Sequence, residues 1–166
     1  MIRAILAHDD KWGIGKSGTL PWPHNAQDLR WFKQNTTNSL VVMGRHTWNS
    51  LPVKPLPNRI NIVVSSKVPK GDAHAVYSTD DIPKLLVNLS KSRYRVLDGI
   101  WVIGGAQLVH SSLPVLDEIW LNNIHGVYDC DTFLEKVLIT RLFEPYDIQK
   151  TSYSTITKWK RCETIS

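Results

Sequence analysis

Apolar residues along this 166-residue chain fall in short runs separated by polar, Gly-rich or Pro-rich stretches. Residues 1–8, Met-Ile-Arg-Ala-Ile-Leu-Ala-His, predict a buried strand. Leu40-Val41-Val42-Met43, residues 59–65 with Ile60-Asn61-Ile62-Val63-Val64 at their centre, and Ile100-Trp101-Val102-Ile103 are runs with little or no polar interruption. Strands covered on both faces have that appearance. A further strand is expected near Ala75-Val76-Tyr77. Between these runs the period changes. Residues 25 to about 36 predict a helix with Asn25 as N-cap, and a short helix is expected over residues 45–50. After Thr79, Ile82, Leu85, Leu86 and Leu89 share one helical face; another helix follows Gly104-Gly105. Residues 11–24, dense in Gly and Pro, read as a loop. Glu118-Ile119-Trp120-Leu121 and two segments after Tyr146 look strand-like with no helix between them, which predicts an antiparallel finish to a mainly parallel sheet. The fold class is α/β, with residues 1–166 as one domain.

Composition narrows the function classes. Hydrophobic content of 42% and charged content of 21% are those of an ordinary globular protein. The formal charge of +5 is scattered, and only Lys158-Trp159-Lys160-Arg161 gathers basic residues around an aromatic. Scattered charge is a solvated surface, so nucleic acid is not the expected partner. Cys130 and Cys162 are the two cysteines; they show neither zinc spacing nor a disulfide framework, which fits a reducing compartment and no metal. The N-terminal apolar run is too short for a signal peptide, and no stretch approaches the ~20 apolar residues of a membrane span. A cytoplasmic protein with no membrane partner, acting as a monomer, is the expectation.

Candidate chemistry begins at Asp28. It follows a glycine-rich loop and the Pro21-Trp22-Pro23 corner, and shares a helix with Leu29 and Phe32, which stands one turn away on the same side. A carboxylate among large apolar side chains is costly to bury unless a cation or hydrogen-bond donors answer it. A flat ligand with a donor-rich edge would do so. The alternative is local: with Asn25 as N-cap, Asp28 occupies the third helical position, where an acid completes a capping box.

Three apolar strands end alike, at Gly44, at Ser65-Ser66 and at Gly104-Gly105. In open α/β sheets ligands gather beyond the carboxyl ends of the strands, and small residues let a phosphate or ribose approach the backbone. Each end taken singly is equally a tight turn; together they favour a nucleotide. No Gly-x-Gly-x-x-Gly fingerprint is present, so an ordinary Rossmann site is not supported. Arg45, a cation in the first turn of a helix, opposes the macrodipole and suggests a nearby anion. With Thr47, Ser66 and Lys67 it would favour a cofactor carrying an extra phosphate, NADPH over NADH. A surface Arg paired with a carboxylate is the alternative.

Five ordered motifs carry a resemblance: Gly-Ile-Gly-Lys-Ser-Gly-Thr-Leu-Pro-Trp (13–22), Asp-Leu-Arg-Trp-Phe-Lys (28–33), Val-Val-Met-Gly-Arg-His-Thr-Trp (41–48), Leu-Pro-Asn-Arg-Ile-Asn-Ile-Val-Val-Ser-Ser (56–66) and Trp-Val-Ile-Gly-Gly-Ala (101–106). Over residues 1 to about 132, and more loosely beyond, the chain resembles the dihydrofolate reductases. The resemblance implies an eight-stranded, largely parallel sheet flanked by about four helices, and NADPH-dependent reduction of 7,8-dihydrofolate to tetrahydrofolate. It gives Asp28 the grip on the pterin's amino and ring N–H groups, and Trp22 a part in ordering the water that delivers the proton. Ile5, Ala7, Leu29, Phe32 and Leu51 would line the substrate cleft. Arg59 would hold the glutamate α-carboxylate, with Leu56 against the benzoyl ring, Lys54 near the tail and Asn122 beside the acid. Ala7, Ile14, Gly15, Lys16, Ser17, Gly18, Thr19 and Leu20 would surround the nicotinamide and its ribose. Gly44, Arg45, His46, Thr47, Ser65, Ser66 and Lys67 would meet the adenosine phosphates. Ile103, Gly104, Gly105, Ala106, Gln107, Leu108 and Thr132 complete the implied cofactor set, with a non-proline cis peptide between Gly104 and Gly105. Residues 13–24 would form a mobile lid, and Asp131 would stabilise its closed state.

The chain departs from the family pattern at four positions. Val109 stands where many relatives carry Tyr, Asn122 where a Thr usually bonds the catalytic acid, Gln107 where a basic residue is frequent, and Cys130 where a Gly is usual. Two other readings stay open at this point: a reductase of the same fold acting on another pterin or a ribityl-pyrimidine, and a catalytically weak protein that binds folate or NADPH as part of an assembly.

Overall fold

The computed structural model describes residues 1–16, 20–23 and 25–163. In chain order its elements are β1 (Ile2–His8), β2 (Gly13–Gly15), α1 (Ala26–Thr36), β3 (Leu40–Gly44), α2 (Arg45–Ser50), β4 (Ile60–Val64), β5 (Ala75–Tyr77), α3 (Ile82–Ser90), β6 (Ile100–Gly104), α4 (Ala106–Ser112), β7 (Glu118–Ile124), β8 (Thr132–Phe133), α5 (Lys136–Leu142), β9 (Phe143–Lys150) and β10 (Ser154–Arg161). Eight strands make one sheet in the order β5-β4-β3-β6-β1-β7-β10-β9. Neighbours from β5 through β7 are parallel, and β10 runs against both β7 and β9. The expected antiparallel finish is therefore this one strand.

The apolar runs became strands because helices and loops cover both faces of the sheet. Leu40, Val41, Val42 and Met43 are fully buried, with Leu40 and Val42 in one core cluster and Val41 and Met43 in the other. Helix α3 buries Ile82, Leu85, Leu86 and Leu89, the face its period predicts, and Asp81 caps it by accepting the Lys84 N–H at 3.1 Å. Helix α1 behaves differently. Of its residues only Thr36 is buried, and Leu29 remains 46% exposed. Trp31 and Phe32 are half-buried against the second core cluster, so the helix edges the core rather than entering it.

Three small elements were not legible in the pattern. β2, inside the expected loop, pairs with β8 in a separate two-stranded sheet, and α5 stands between β7 and β9, where no helix was expected. Strands of two or three residues are too short to display a period. The basic cluster at 158–161 lies on β10 and is engaged there. Lys158 lies 3.9 Å from Asp147 and Lys160 3.8 Å from Glu144, both on β9. Arg161 donates through Nε to the Leu116 carbonyl at 2.9 Å. Among the described residues no helix is long and apolar enough to cross a membrane, and no group of acidic, His or Cys side chains is arranged to hold a metal.

Candidate active site

Helix α1 starts at Asn25, whose Oδ1 accepts the Asp28 N–H at 3.0 Å. Asp28 thus sits in the first turn, but its side chain does not close the capping box. Asn122 on β7 donates through Nδ2 to Asp28 Oδ1 at 2.9 Å, so the carboxylate faces the sheet. Asn122 pairs in register with Ala7 of β1, which brings Ala7, Asn122 and Asp28 to one place. Asn122 is 2% exposed, and its Oδ1 is buried without a partner. Burial pushes the Asp28 carboxyl above its ordinary pKa, and the Asn122 N–H opposes the shift. Among the described residues no Lys or Arg pairs with Asp28.

At the other end of α1, Thr36 donates through Oγ1 to the Phe32 carbonyl at 2.8 Å and accepts from Arg59 Nη1 at 3.0 Å. Arg59 Nε donates to the Pro57 carbonyl at 2.9 Å, and its guanidinium carbon lies 5.9 Å from the Phe32 ring centroid. The side chain is held in place, 7% exposed, and burial lowers its pKa. Among the described residues no carboxylate pairs with it. Asp28 and Thr36 are eight residues apart, roughly 12 Å along a helix. Phe32, Leu51, Leu56 and Ile103 lie partly buried against the cluster that holds Ile5, Met43 and Trp101. Lys54 is exposed and donates to the Asn49 carbonyl at 3.3 Å.

A second set of residues meets at the carboxyl ends of β3 and β6. Gly104 has φ +127°, a conformation side chains avoid, and the Gly104–Gly105 peptide is cis. A Cβ at Gly104 would lie 3.4 Å from Thr47 Oγ1, and one at Gly44 would lie 3.9 Å from the Gly104 carbonyl oxygen. Gly44, Thr47, Gly104 and Gly105 therefore form a cradle that only small residues leave open. Arg45 and Ala106 are half-buried beside it, and His46, Ser66, Lys67 and Gln107 are exposed. No carboxylate among the described residues pairs with Arg45. Ser65 shapes its turn, accepting the Lys67 N–H at 3.0 Å and donating to the Lys67 carbonyl at 2.7 Å. This donor set, with its cradle and Arg45, fits a phosphorylated dinucleotide.

Other expected residues are less directly placed. Ile14 and Gly15 are half-buried on β2, Leu20 is 61% exposed, and Lys16 forms an ion pair with Asp129 at 2.9 Å. Thr132 donates to Asp131 Oδ1 at 3.0 Å. Leu108 and Val109 both pack in the core. Ser17, Gly18 and Thr19 lie outside the described residues. Trp22 is 6% exposed and meets the Tyr128 ring edge-on, centroids 6.2 Å apart. A groove of about 410 Å³ borders Leu56 and Arg59, and one of about 770 Å³ lies against Asn25, Arg30 and Tyr153. Asp28 is not among the residues that line either groove.

Sequence reasoning missed Thr36, Asp9 and Tyr128. A helical Thr bonded to the carbonyl four residues back looks the same whether or not it also supports an Arg. Asp9 carries a local signal, an Asp two residues before the N–H its side chain accepts, the Lys11 N–H at 2.9 Å. Its link to Tyr128 spans 119 residues and leaves no local trace.

Comparison with known proteins agrees with this geometry. The family model described as dihydrofolate reductase matches residues 1–156. The dihydrofolate reductase of Schistosoma mansoni is 36% identical over 153 residues, covering 82% of this chain and 78% of that protein. The rat (Rattus norvegicus) enzyme of the same name is 33% identical over 150 residues, covering 82% and 79%. The viral dihydrofolate reductase of Saimiriine herpesvirus 2 (strain 488) is 33% identical over 150 residues, covering 82% and 70%. By the extent of the family match and by these identities, the chain belongs to the dihydrofolate reductase family.

Proposed function

We propose that this protein reduces 7,8-dihydrofolate to tetrahydrofolate with NADPH. One observation carries the reading. A half-buried carboxylate in the first turn of α1 and a buried guanidinium bonded to Thr36 at the helix's other end both lack an ionic partner among the described residues. Buried charges left unanswered call for a ligand that answers both. Dihydrofolate presents an amino group and ring N–H to Asp28 and a glutamate α-carboxylate to Arg59, with an apolar ring system between. A ribityl-pyrimidine has no carboxylate for Arg59.

Asp28 accepts hydrogen bonds from the pterin edge, and Asn122 fixes the carboxylate that does so. Burial raises the affinity of Asp28 for a proton, and donors on a bound pterin would oppose that by stabilising the charged form that accepts them. The proton reaches the ring through water, which Trp22 helps to order. Phe32, Leu51, Leu56 and Ile5 exclude bulk solvent and align the reacting ring. When bound, NADPH supplies the hydride. Arg45 and Thr47 would hold its phosphates, with Ser65, Ser66 and Lys67 following the end of the neighbouring parallel strand β4, and the cradle at Gly44, Gly104 and Gly105 would leave room for it against the backbone. All these groups come from one chain, so the reading takes the protein as a monomer. Cys130 and Cys162 as free thiols are in keeping with a cytoplasmic setting.

The test is the fall in reduced-nicotinamide absorbance with dihydrofolate present, compared with a dihydropterin lacking the glutamate tail. The expected result is turnover that requires dihydrofolate, prefers NADPH to NADH and weakens without the tail. NADPH binding without turnover would mean a non-catalytic binder, and turnover indifferent to the tail would mean a different substrate.

A further inference from the structure

We propose that Asp9 is a positioning residue for Trp22, tying the β1–β2 turn to the β7–β8 connection so that the Trp22 indole has a fixed seat. Asp9 is 1% exposed. Its Oδ1 accepts the N–H groups of Lys11 and Gly13, at 2.9 and 2.8 Å. Its Oδ2 accepts the Tyr128 N–H at 3.1 Å and the Cys130 thiol at 3.4 Å. One oxygen therefore shapes the turn that leads into β2, and the other holds a segment more than a hundred residues away. Closing the turn requires only the first. The second oxygen joins the two segments and is the reason for a carboxylate rather than a Ser or Asn.

Both segments lead toward the reactive cleft. The Tyr128 ring receives Trp22 edge-on, with planes inclined at 72°, and its hydroxyl donates to the His125 carbonyl at 2.7 Å, which fixes the outer end of the ring. The Asp131 N–H donates to the Gly15 carbonyl at 2.9 Å, continuing the seam between the same two segments. Asp9 thus reaches Trp22 through a backbone N–H and one ring. Among the described residues no ion pair offsets the carboxylate. It is held by neutral donors, so loss of one donor or acceptor is transmitted along the seam instead of being absorbed by an ion pair.

The kinetic part of this inference rests on the reductase reading; the spectroscopic part does not. Labelling with 5-fluorotryptophan gives a ¹⁹F resonance for Trp22, assigned by its loss in Trp22→Phe. Asp9→Asn and Tyr128→Leu are each expected to shift that resonance, and the double variant to shift it no further than the larger single change. Single-turnover hydride transfer is expected to fall on the order of tenfold or more in Asp9→Asn, with affinity for an adenosine 2′,5′-bisphosphate fragment unchanged. A Trp22 resonance unmoved by Asp9→Asn, or additive shifts in the double variant, would overturn the proposal. Should Asp9→Asn not fold, Cys130→Ala decides: it removes one donor to Oδ2, and an unmoved Trp22 resonance rejects the link. A protein inert toward dihydrofolate would still report the Trp22 shift, so the two readings fail separately.

Discussion

Burial holds the Asp28 carboxyl above its ordinary pKa, with the Asn122 N–H pulling the other way. The folded protein binds that proton more tightly than the unfolded chain. Asp28 therefore favours folding below the ordinary carboxylate range, and the advantage is lost as pH rises through the raised value. Asp28→Asn is expected to raise the melting temperature of the ligand-free protein at neutral pH, with the gain disappearing in acid; a lower melting temperature at neutral pH would contradict it. Asp9 has the opposite sign. Burial is its largest single influence and pushes upward, but the N–H groups of Tyr128, Gly13 and Lys11 and the Cys130 thiol together hold it below the ordinary value. Its stabilisation is present above the carboxylate range and lost as pH falls, so Asp9→Asn should flatten the acid limb of stability. Arg45→Ala is expected to weaken NADPH by on the order of tenfold or more while leaving NADH little changed, as loss of a charge-assisted contact would; equal losses in a binding titration would remove its role. Asp28 and Arg45 were legible in the sequence because each violates a local rule, an acid on an apolar face and a cation at a helix start. Asn122 was legible only through the resemblance, and Asp9 was not, because half its partners are distant in the chain.

At the scale of elements, α1 spaces the site, with Asp28 at one end and the Thr36 contact to Arg59 at the other. Arg59→Ala is expected to weaken ligands that carry the glutamate tail on the order of tenfold or more and to leave tail-less pterins unaffected. Comparable losses for both ligand types would show that Arg59 only braces Thr36 and Pro57. The β2–β8 seam offers a steric test. A Cβ at Gly13 would collide with Cβ and Sγ of Cys130. Gly13→Ala should cost ~1–3 kcal/mol, and Cys130→Gly in the same chain should recover most of it. No recovery in denaturant melts would mean the turn itself rejects a side chain. Strands such as β3 and β6 were legible because burial on both faces leaves an almost unbroken apolar run. β2 and β8 were hidden because Gly-Ile-Gly and Thr-Phe are selected by the seam they form, not by a periodic face.

In the whole molecule, β1 lies between β6 and β7, and the two halves of the proposed site stand on either side of it. Strand β10 secures this arrangement from the far end of the chain. It inserts between β7 and β9 and pairs Ile156 with Asn122, the residue that holds Asp28. A chain ending at residue 152 would leave β7 as an open edge and is expected to lose cooperative thermal unfolding; a sharp native-like melt would show that the C-terminal hairpin is dispensable. The antiparallel finish was legible because the last two strands, β9 and β10, follow each other with no helix between them, although α5 does intervene between β7 and β9; the insertion of β10 inside β9 depends on side-chain fit that no single segment displays. The most direct measurement is single-turnover hydride transfer from NADPH to dihydrofolate across pH, in the parent protein and in Asp28→Asn. The expected result is a rate that falls in the parent as the pH rises and is largely lost in Asp28→Asn at neutral pH, with NADPH still bound. An Asp28→Asn protein that transfers hydride at the parental rate would contradict it.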